Sequence, residues 1–162
     1  IHSALEKVFA LSQADEQKDL KIKRDYDPSI PEIQGDENLF IQATLNIIKN
    51  AQQALFLTDN PSIIIKSRVV YGQPINGNIY STVCEVSIID NGPGIPSDIQ
   101  EQVFFPMVSS KEDGSGLGLS ISQDIIRIHG GAISFKTKSG ETTFSILMPI
   151  KMESKNKEVL SA

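Results

Sequence analysis

Two apolar runs, SIIIKSRVVY at 62–71 and YSTVCEVSIID at 80–90, fix most of what this chain can become. Both read as strands, and the joining stretch GQPINGN holds the Asn76-Gly77 pair that suits a hairpin. In the second run Cys84, Val86 and Ile88 share a face, and Asp90 falls on the same parity, so a carboxylate is expected to point inward at the strand end.

The segments on either side supply helices to cover that face. Leu5, Val8, Phe9 and Leu11 space a short amphipathic helix over residues 1–14, and LKIK reads as a strand before the turn at Pro28 and Pro31. Asp36 is placed to cap a longer helix whose Phe40, Ala43, Ile47, Ala51 and Leu55 keep the 3.6 period. A Gly/Pro turn, NGPGIP, opens a short helical segment near SDIQEQVF, and FPMVSSKEDGSG reads as a mobile loop. The helix LGLSISQDIIRIH follows, stopped by Gly130-Gly131. Strands AISFKTK and TTFSILMPI turn at Ser139-Gly140. The expected fold is an α+β two-layer sandwich, a mixed and mostly antiparallel sheet with helices on one face. Residues 1–150 form one domain in this reading, and 151–162 a disordered tail.

Charge narrows the partners. A net charge of -5 argues against nucleic acid and against membrane contact, since both need clustered Lys and Arg. The single cysteine, Cys84, excludes an internal disulfide and sits in an apolar run as a packing residue, which points to a reducing compartment. The chain starts at Ile1 and reads as a piece of a longer protein.

Three features carry chemistry. Gln42, Asn46, Asn50 and Gln53 stack four carboxamides on one side of the Asp36 helix. Asn is a poor mid-helix residue, and its amide oxygen suits Mg2+; the plain alternative is a solvated face. Asp90, beside the space expected at Gly92 and Gly94, is placed to accept from the amine of a planar base, or simply to bond the backbone of its own turn. Thr142 shares a strand face with Phe144, Ile146 and Met148 and can reach the same ligand, unless its own backbone satisfies it. GSGLGLS, residues 114–120, is neither a dinucleotide loop nor a Walker loop, because it lacks the preceding strand, the spacing and a Gly-Lys-Ser/Thr. It keeps what those motifs share, glycine amides ahead of a helix N-terminus, a suitable anion site.

The order of Asn46 and Asn50 in NIIKNA, DNGPGIP, the Phe104-Phe105 pair, GSGLGL and a threonine near Gly140 resembles the ATP-binding catalytic domain of sensor histidine kinases. That resemblance implies the Bergerat-type ATP-binding fold, with ATP and Mg2+ as cofactors. It gives Asn50 the metal, Asn46 a hold on the phosphates, and Asp90 the adenine amine, with Gly92 and Gly94 shaping the base pocket. Lys111, in the lid, would reach phosphates or solvent; Gly114, Gly116, Leu117 and Gly118 form the second glycine box, and Thr142 supports adenine through water. The chain departs from the family where Gln52 and Gln53 replace a basic residue after Asn50, and where Glu141 replaces a glycine.

RDYDPSIPE, NAQQAL and FFPMVSSKEDGSGLGLSI resemble nitrogen-regulation sensor kinases of the NtrB type. The implied partners are the kinase's own dimerisation and phosphoacceptor domain, an NtrC-type response regulator and a PII-type signal protein, in the cytoplasm. Neither histidine fits a phosphoacceptor: His2 is expected at the surface, and His129 at a helix C-terminus where its charge would favour the dipole. Asn46 stands where the ATPase branch carries a water-activating Glu, which favours phosphoryl transfer to an external histidine. The alternatives are a non-catalytic nucleotide-binding or docking module and a superfamily ATPase.

Overall fold

The computed structural model describes residues 1–13, 19–108 and 116–150. Chain order is α1 (His2–Ser12), β1 (Lys21–Tyr26), α2 (Glu37–Ala54), β2 (Ser62–Ile75), β3 (Asn78–Asp90), a 3-10 turn (Gln100–Gln102), α3 (Gly118–Ile128), β4 (Ala132–Lys138) and β5 (Glu141–Pro149). The sheet order is β1-β2-β3-β5-β4. Only the β1–β2 pair is parallel, because α2 carries the chain from one strand to the other; the remaining pairs are antiparallel. This is the expected two-layer α+β sandwich.

Asp36 caps α2 as its sequence position implies: its Oδ1 accepts from Leu39 N at 3.0 Å. The hairpin departs from expectation in extent. β2 continues through Gln73, Pro74 and Ile75, so the loop shrinks to Asn76-Gly77, with φ of 49° and 83°. Two left-handed residues make the turn whose twist matches the flanking strands. Near SDIQEQVF the helical content is only the single 3-10 turn.

Strand alternation delivers one core. Ile63 and Ile65 of β2, Val86 and Ile88 of β3, Phe144 and Ile146 of β5 pack with Leu5 and Val8 of α1, Ile47 and Ile48 of α2 and Ile126 of α3. Ile65 and Ile88 lie opposite each other and are 0% and 1% exposed. Each such burial contributes about 1.5–3 kcal/mol, and Ile47→Ala would remove about 2–5 kcal/mol. Among the described residues no helix is long and apolar enough to cross a membrane.

Three polar contacts bind α3 to α2. Asn46 Nδ2 donates to Gly118 O at 3.2 Å and Ser122 Oγ to Ala43 O at 2.9 Å, and at the far end Asp36 N donates to His129 Nε2 at 2.9 Å. The last contact corrects the sequence reading of His129. Its Nδ1 lies 2.7 Å from Ile125 O, which can only accept, while Nε2 accepts from the Asp36 amide. The ring is therefore neutral with the proton on Nδ1, a clamp between helices and not a cation complementing a dipole. His2 also differs from expectation: it is half-buried, stacked on Tyr26 at 5.3 Å, with Nε2 3.1 Å from Ser67 Oγ.

Candidate functional site

β3 ends on Asp90, whose neighbours in the sheet are Ile63 of β2 and Thr142 of β5. Asp90 is 4% exposed. Its Oδ1 accepts from Gly92 N at 2.9 Å, and the other carboxylate oxygen has no hydrogen-bond partner among the described residues. The turn reading holds for one oxygen, which bonds the backbone of its own turn, and the second is not engaged by it. Burial pushes the Asp90 carboxyl above the usual carboxylate range, opposed by the Gly92 bond.

The glycines after Asp90 work differently from expectation. They do not leave empty space. A Cβ on Gly92 would lie 2.8 Å from Asp90 Oδ1, and one on Gly94, at φ 93°, would lie 2.8 Å from Lys138 O. Glycine is needed because the turn is laid directly against β4 and against the carboxylate. Asn91, between Asp90 and Gly92, is a site residue that the sequence analysis does not single out. Its Oδ1 accepts from Ser62 N at 2.8 Å and its Nδ2 donates to Asn60 O at 3.1 Å, fastening the turn to the start of β2. An amide that both donates and accepts, placed inside a Gly/Pro turn, is the signal that could have found it.

Thr142 is 4% exposed on the same buried face as Phe144, Ile146 and Met148. Its hydroxyl does not turn back to its own backbone; it lies 3.0 Å from Thr137 Oγ1, which in turn accepts from Ile95 N at 2.9 Å.

The carboxamide face of α2 lines the other wall. Asn46 and Asn50 are both half-buried, and the Asn50 side chain has no hydrogen bond among the described residues. One turn beyond Asn50, Ala54 stands 3.6 Å from a Gly92 Cβ, which carries this face to the Asp90 turn. Gln52 is excluded from the wall. It is buried on the opposite side, donating to Ser12 O at 3.0 Å, so this substitution for a basic residue serves the α1–α2 contact; Gln53 stays exposed.

At the end of that face, α3 begins with Leu117 as N-cap, whose apolar side chain makes no capping bond. Amides of a first helical turn carry partial positive charge and suit a phosphate. Gly116, at φ 65°, is required: its Cβ would lie 2.7 Å from Met107 C, and its carbonyl accepts from Met107 N at 3.0 Å. Gly118 meets Asn46 only at ordinary contact, 3.7 Å. Phe104 is held edge-on by Phe135 and Phe144, whereas Phe105 is exposed. Lys111, Gly114 and the tail 151–162 lie outside the described residues.

The site therefore runs from the α3 N-terminus, along two half-buried asparagines, to a buried carboxylate with one oxygen outside the turn bond. This set fits a nucleotide, with phosphates at the first end and base at the last. Among the described residues no group of three or more His, Cys, Asp or Glu side chains could hold a metal ion. A divalent ion at Asn50 would take its remaining oxygens from phosphate and water.

Residues 35–152 match the family described as histidine kinase-, DNA gyrase B-, and HSP90-like ATPase. The chain is 46% identical over 150 residues to the sensory histidine kinase/phosphatase NtrB of Vibrio alginolyticus, covering 93% of this chain and 43% of that protein. The chain thus spans less than half the length of the curated relatives it matches. Among solved structures, the nucleotide-free catalytic domain of histidine kinase ThkA aligns with a TM-score of 0.75 at 26% identity, over 92% of this chain and 91% of that one. Full-length ShkA in complex with AMPPNP aligns with a TM-score of 0.74 at 25% identity, over 91% of this chain and 29% of that one. Sequence match and fold agree, and the chain belongs to the histidine kinase-, DNA gyrase B- and HSP90-like ATPase family, as an ATP-binding catalytic domain of the sensor histidine kinase type.

Proposed function

We propose that residues 1–150 form a domain that binds Mg-ATP and donates its terminal phosphoryl group to a histidine on a separate dimerisation domain. The observation that carries the reading is the α2 wall. Its side chains are the carboxamides Gln42, Asn46, Asn50 and Gln53, and Asn46 is already donating to Gly118 O. An amide cannot take a proton from water, so the wall offers positioning and no general base. Phosphoryl transfer to a nucleophile supplied by another domain needs mainly positioning and charge stabilisation.

Bound ATP would supply the phosphoryl donor. Asp90 would accept from the adenine amine with Thr142 beside it, and Gly92 and Gly94 would keep the turn low enough for the base to enter. Asn50 would hold Mg2+, and the α3 N-terminus with Gly116, Leu117 and Gly118 would face the phosphates. Lys111 and Gly114 would add lid contacts.

The 46% identity to a protein named NtrB supports nitrogen regulation as the setting, with an NtrC-type response regulator downstream, a PII-type signal protein as controller, and the cytoplasm as location. The test mixes this chain with a separate histidine-bearing dimerisation domain and γ-labelled ATP. Label is expected on that histidine. No label would overturn the kinase reading and leave a nucleotide-dependent docking module, and steady phosphate release by the chain alone would favour a hydrolase.

A further inference from the structure

We propose that Ser122 is a positioning residue of the nucleotide site: its hydroxyl pins the Gly118 carbonyl so that Asn46 turns its Nδ2 toward it and presents Oδ1, an acceptor, to a bound magnesium ion or one of its waters. The inference rests on the reading of the α2 wall, with Asn50, as the side that holds the metal.

Two layers of α2 and α3 meet here. Ala43 and Asn46 are neighbours along one face of α2, and Gly118 and Ser122 along one face of α3. Ser122 is 0% exposed, and its Oγ lies 2.9 Å from Ala43 O and 2.9 Å from Gly118 O. Both partners are backbone carbonyls, which only accept, so the hydroxyl is the donor in each contact. A bond from a helical serine to the carbonyl four residues back is common and local. The contact with Ala43 crosses 79 residues of sequence, and it fixes the first peptide unit of α3 against one turn of α2.

The same Gly118 carbonyl accepts from Asn46 Nδ2 at 3.2 Å. The orientation of the carboxamide follows. An oxygen turned to Gly118 O would set two acceptors against each other, so the amide nitrogen takes that side and Oδ1 the other. Among the described residues Oδ1 has no hydrogen bond. Asn46 is half-buried and stands one turn before Asn50 on the same face. Phosphate oxygens are acceptors too and are repelled by Oδ1, whereas a hard cation, or a proton of a water bound to it, is attracted. Asn46 is therefore set for the metal and its waters. Without the Ser122 hydroxyl the Gly118 carbonyl is free to draw back from α2, and the carboxamide can turn over.

The test measures ADP affinity by calorimetry in Mg2+ and in EDTA, with a melting curve. It compares the wild type with Ser122→Ala, Ser122→Cys, Asn46→Ala, Asn50→Ala and the double variant Asn46→Ala/Ser122→Ala. The ratio of the two affinities is the magnesium gain. Ser122→Ala is expected to lower that gain up to about tenfold, the scale of one hydrogen bond, and to leave ADP affinity in EDTA within about twofold of wild type. Ser122→Cys keeps the shape with a weaker donor and is expected to fall between the two. In the Asn46→Ala background, Ser122→Ala should change the gain by less than about twofold. Weakening in Mg2+ and EDTA alike, an unchanged gain, or an undiminished effect of Ser122→Ala without Asn46 would overturn the proposal and leave Ser122 a packing residue. So would failure of both Ser122 variants to fold, which would make the hydroxyl a determinant of the fold. An Asn50→Ala variant that keeps the full gain would overturn the metal reading of the α2 wall itself, a separate and distinguishable result.

Discussion

Asp90 and Thr142 face each other across the β3–β5 ladder, each 4% exposed, where β3 stops and the glycine turn begins. A carboxylate there is desolvated in the folded chain and hydrated in the unfolded one. Its folded pKa is raised, so the ionised form weakens the empty fold. That cost is complete above the raised folded pKa. It is relieved as pH falls through that value and absent below the unfolded one. Asp90→Asn keeps the acceptor for Gly92 N and removes the charge. The expected outcome is a higher melting temperature than wild type at pH 7, with the gap closing in acid, and Mg-ADP binding weakened by about 1.5–3 kcal/mol. Melting curves against pH and calorimetry check both halves; a gap that widens in acid would refute the assignment.

The two asparagines of α2 separate binding from stability. The Asn50 side chain has no hydrogen bond among the described residues, so Asn50→Ala gains up to about 0.7 kcal/mol of helix propensity and is expected to melt no lower than wild type. It should nevertheless lose the Mg-dependent part of nucleotide binding. Asn46→Ala breaks the bond to Gly118 O, worth about 1 kcal/mol, and should lower stability even without nucleotide. Urea unfolding, with nucleotide titrations in Mg2+ and in EDTA, distinguishes the two.

What the sequence disclosed and what it hid divide along one physical line. The Asp36 cap, the Asn76-Gly77 turn and the inward aim of Asp90 depend on periodicity or on neighbours within a few residues, and each was legible. Gln52, His129 and Thr137 were misread or passed over because their partners stand 40, 93 and 42 residues away. A polar side chain carries no mark of a distant partner. The need for glycine at 92 and 94 was legible, but its reason was not, since close approach and open space leave the same residue in the chain.

Cys84 offers a probe of opening that touches nothing in the site. It is 0% exposed, and burial pushes its thiol up to about 12. At pH 8 the folded chain therefore holds almost no thiolate there. A thiol reagent is expected to leave Cys84 unmodified in native buffer and to react with it fully in denaturant. Prompt native labelling would show that β3 is not the central strand it is described as.

His129 ties α3 to the cap of α2, and the opposite end of α3 is the one proposed to face the nucleotide. His129→Phe keeps a ring against Gly35 and removes both hydrogen bonds. A loss of about 1–2 kcal/mol is expected, read by urea unfolding, with Mg-ADP affinity within about twofold of wild type, because the far end of an 11-residue helix is about 16 Å away. A large drop in affinity without a drop in stability would mean that the clamp tunes the site.

Gly116 and Met107 close the two stems on either side of residues 109–115. Met107 N donates to Gly116 O, and both residues are left-handed, at φ 66° and 65°. For methionine that conformation costs about 1–2 kcal/mol, which the pairing must offset. A Cβ at 116 would lie 2.7 to 2.9 Å from three backbone atoms of Met107 and Val108, where no side chain can rotate away. Gly116→Ala must therefore separate the stems and shift the residue that leads into the α3 N-terminus. The core does not depend on this contact, so melting should fall by only a few degrees, while Mg-ADP affinity should fall about tenfold or more as the first-turn amides lose their aim. Met107→Gly, which relieves the strain and keeps the backbone pair, should bind as wild type. If Gly116→Ala bound nucleotide normally, the stems would have no part in presenting the helix, and the phosphates would have to be sought elsewhere on the α2 wall.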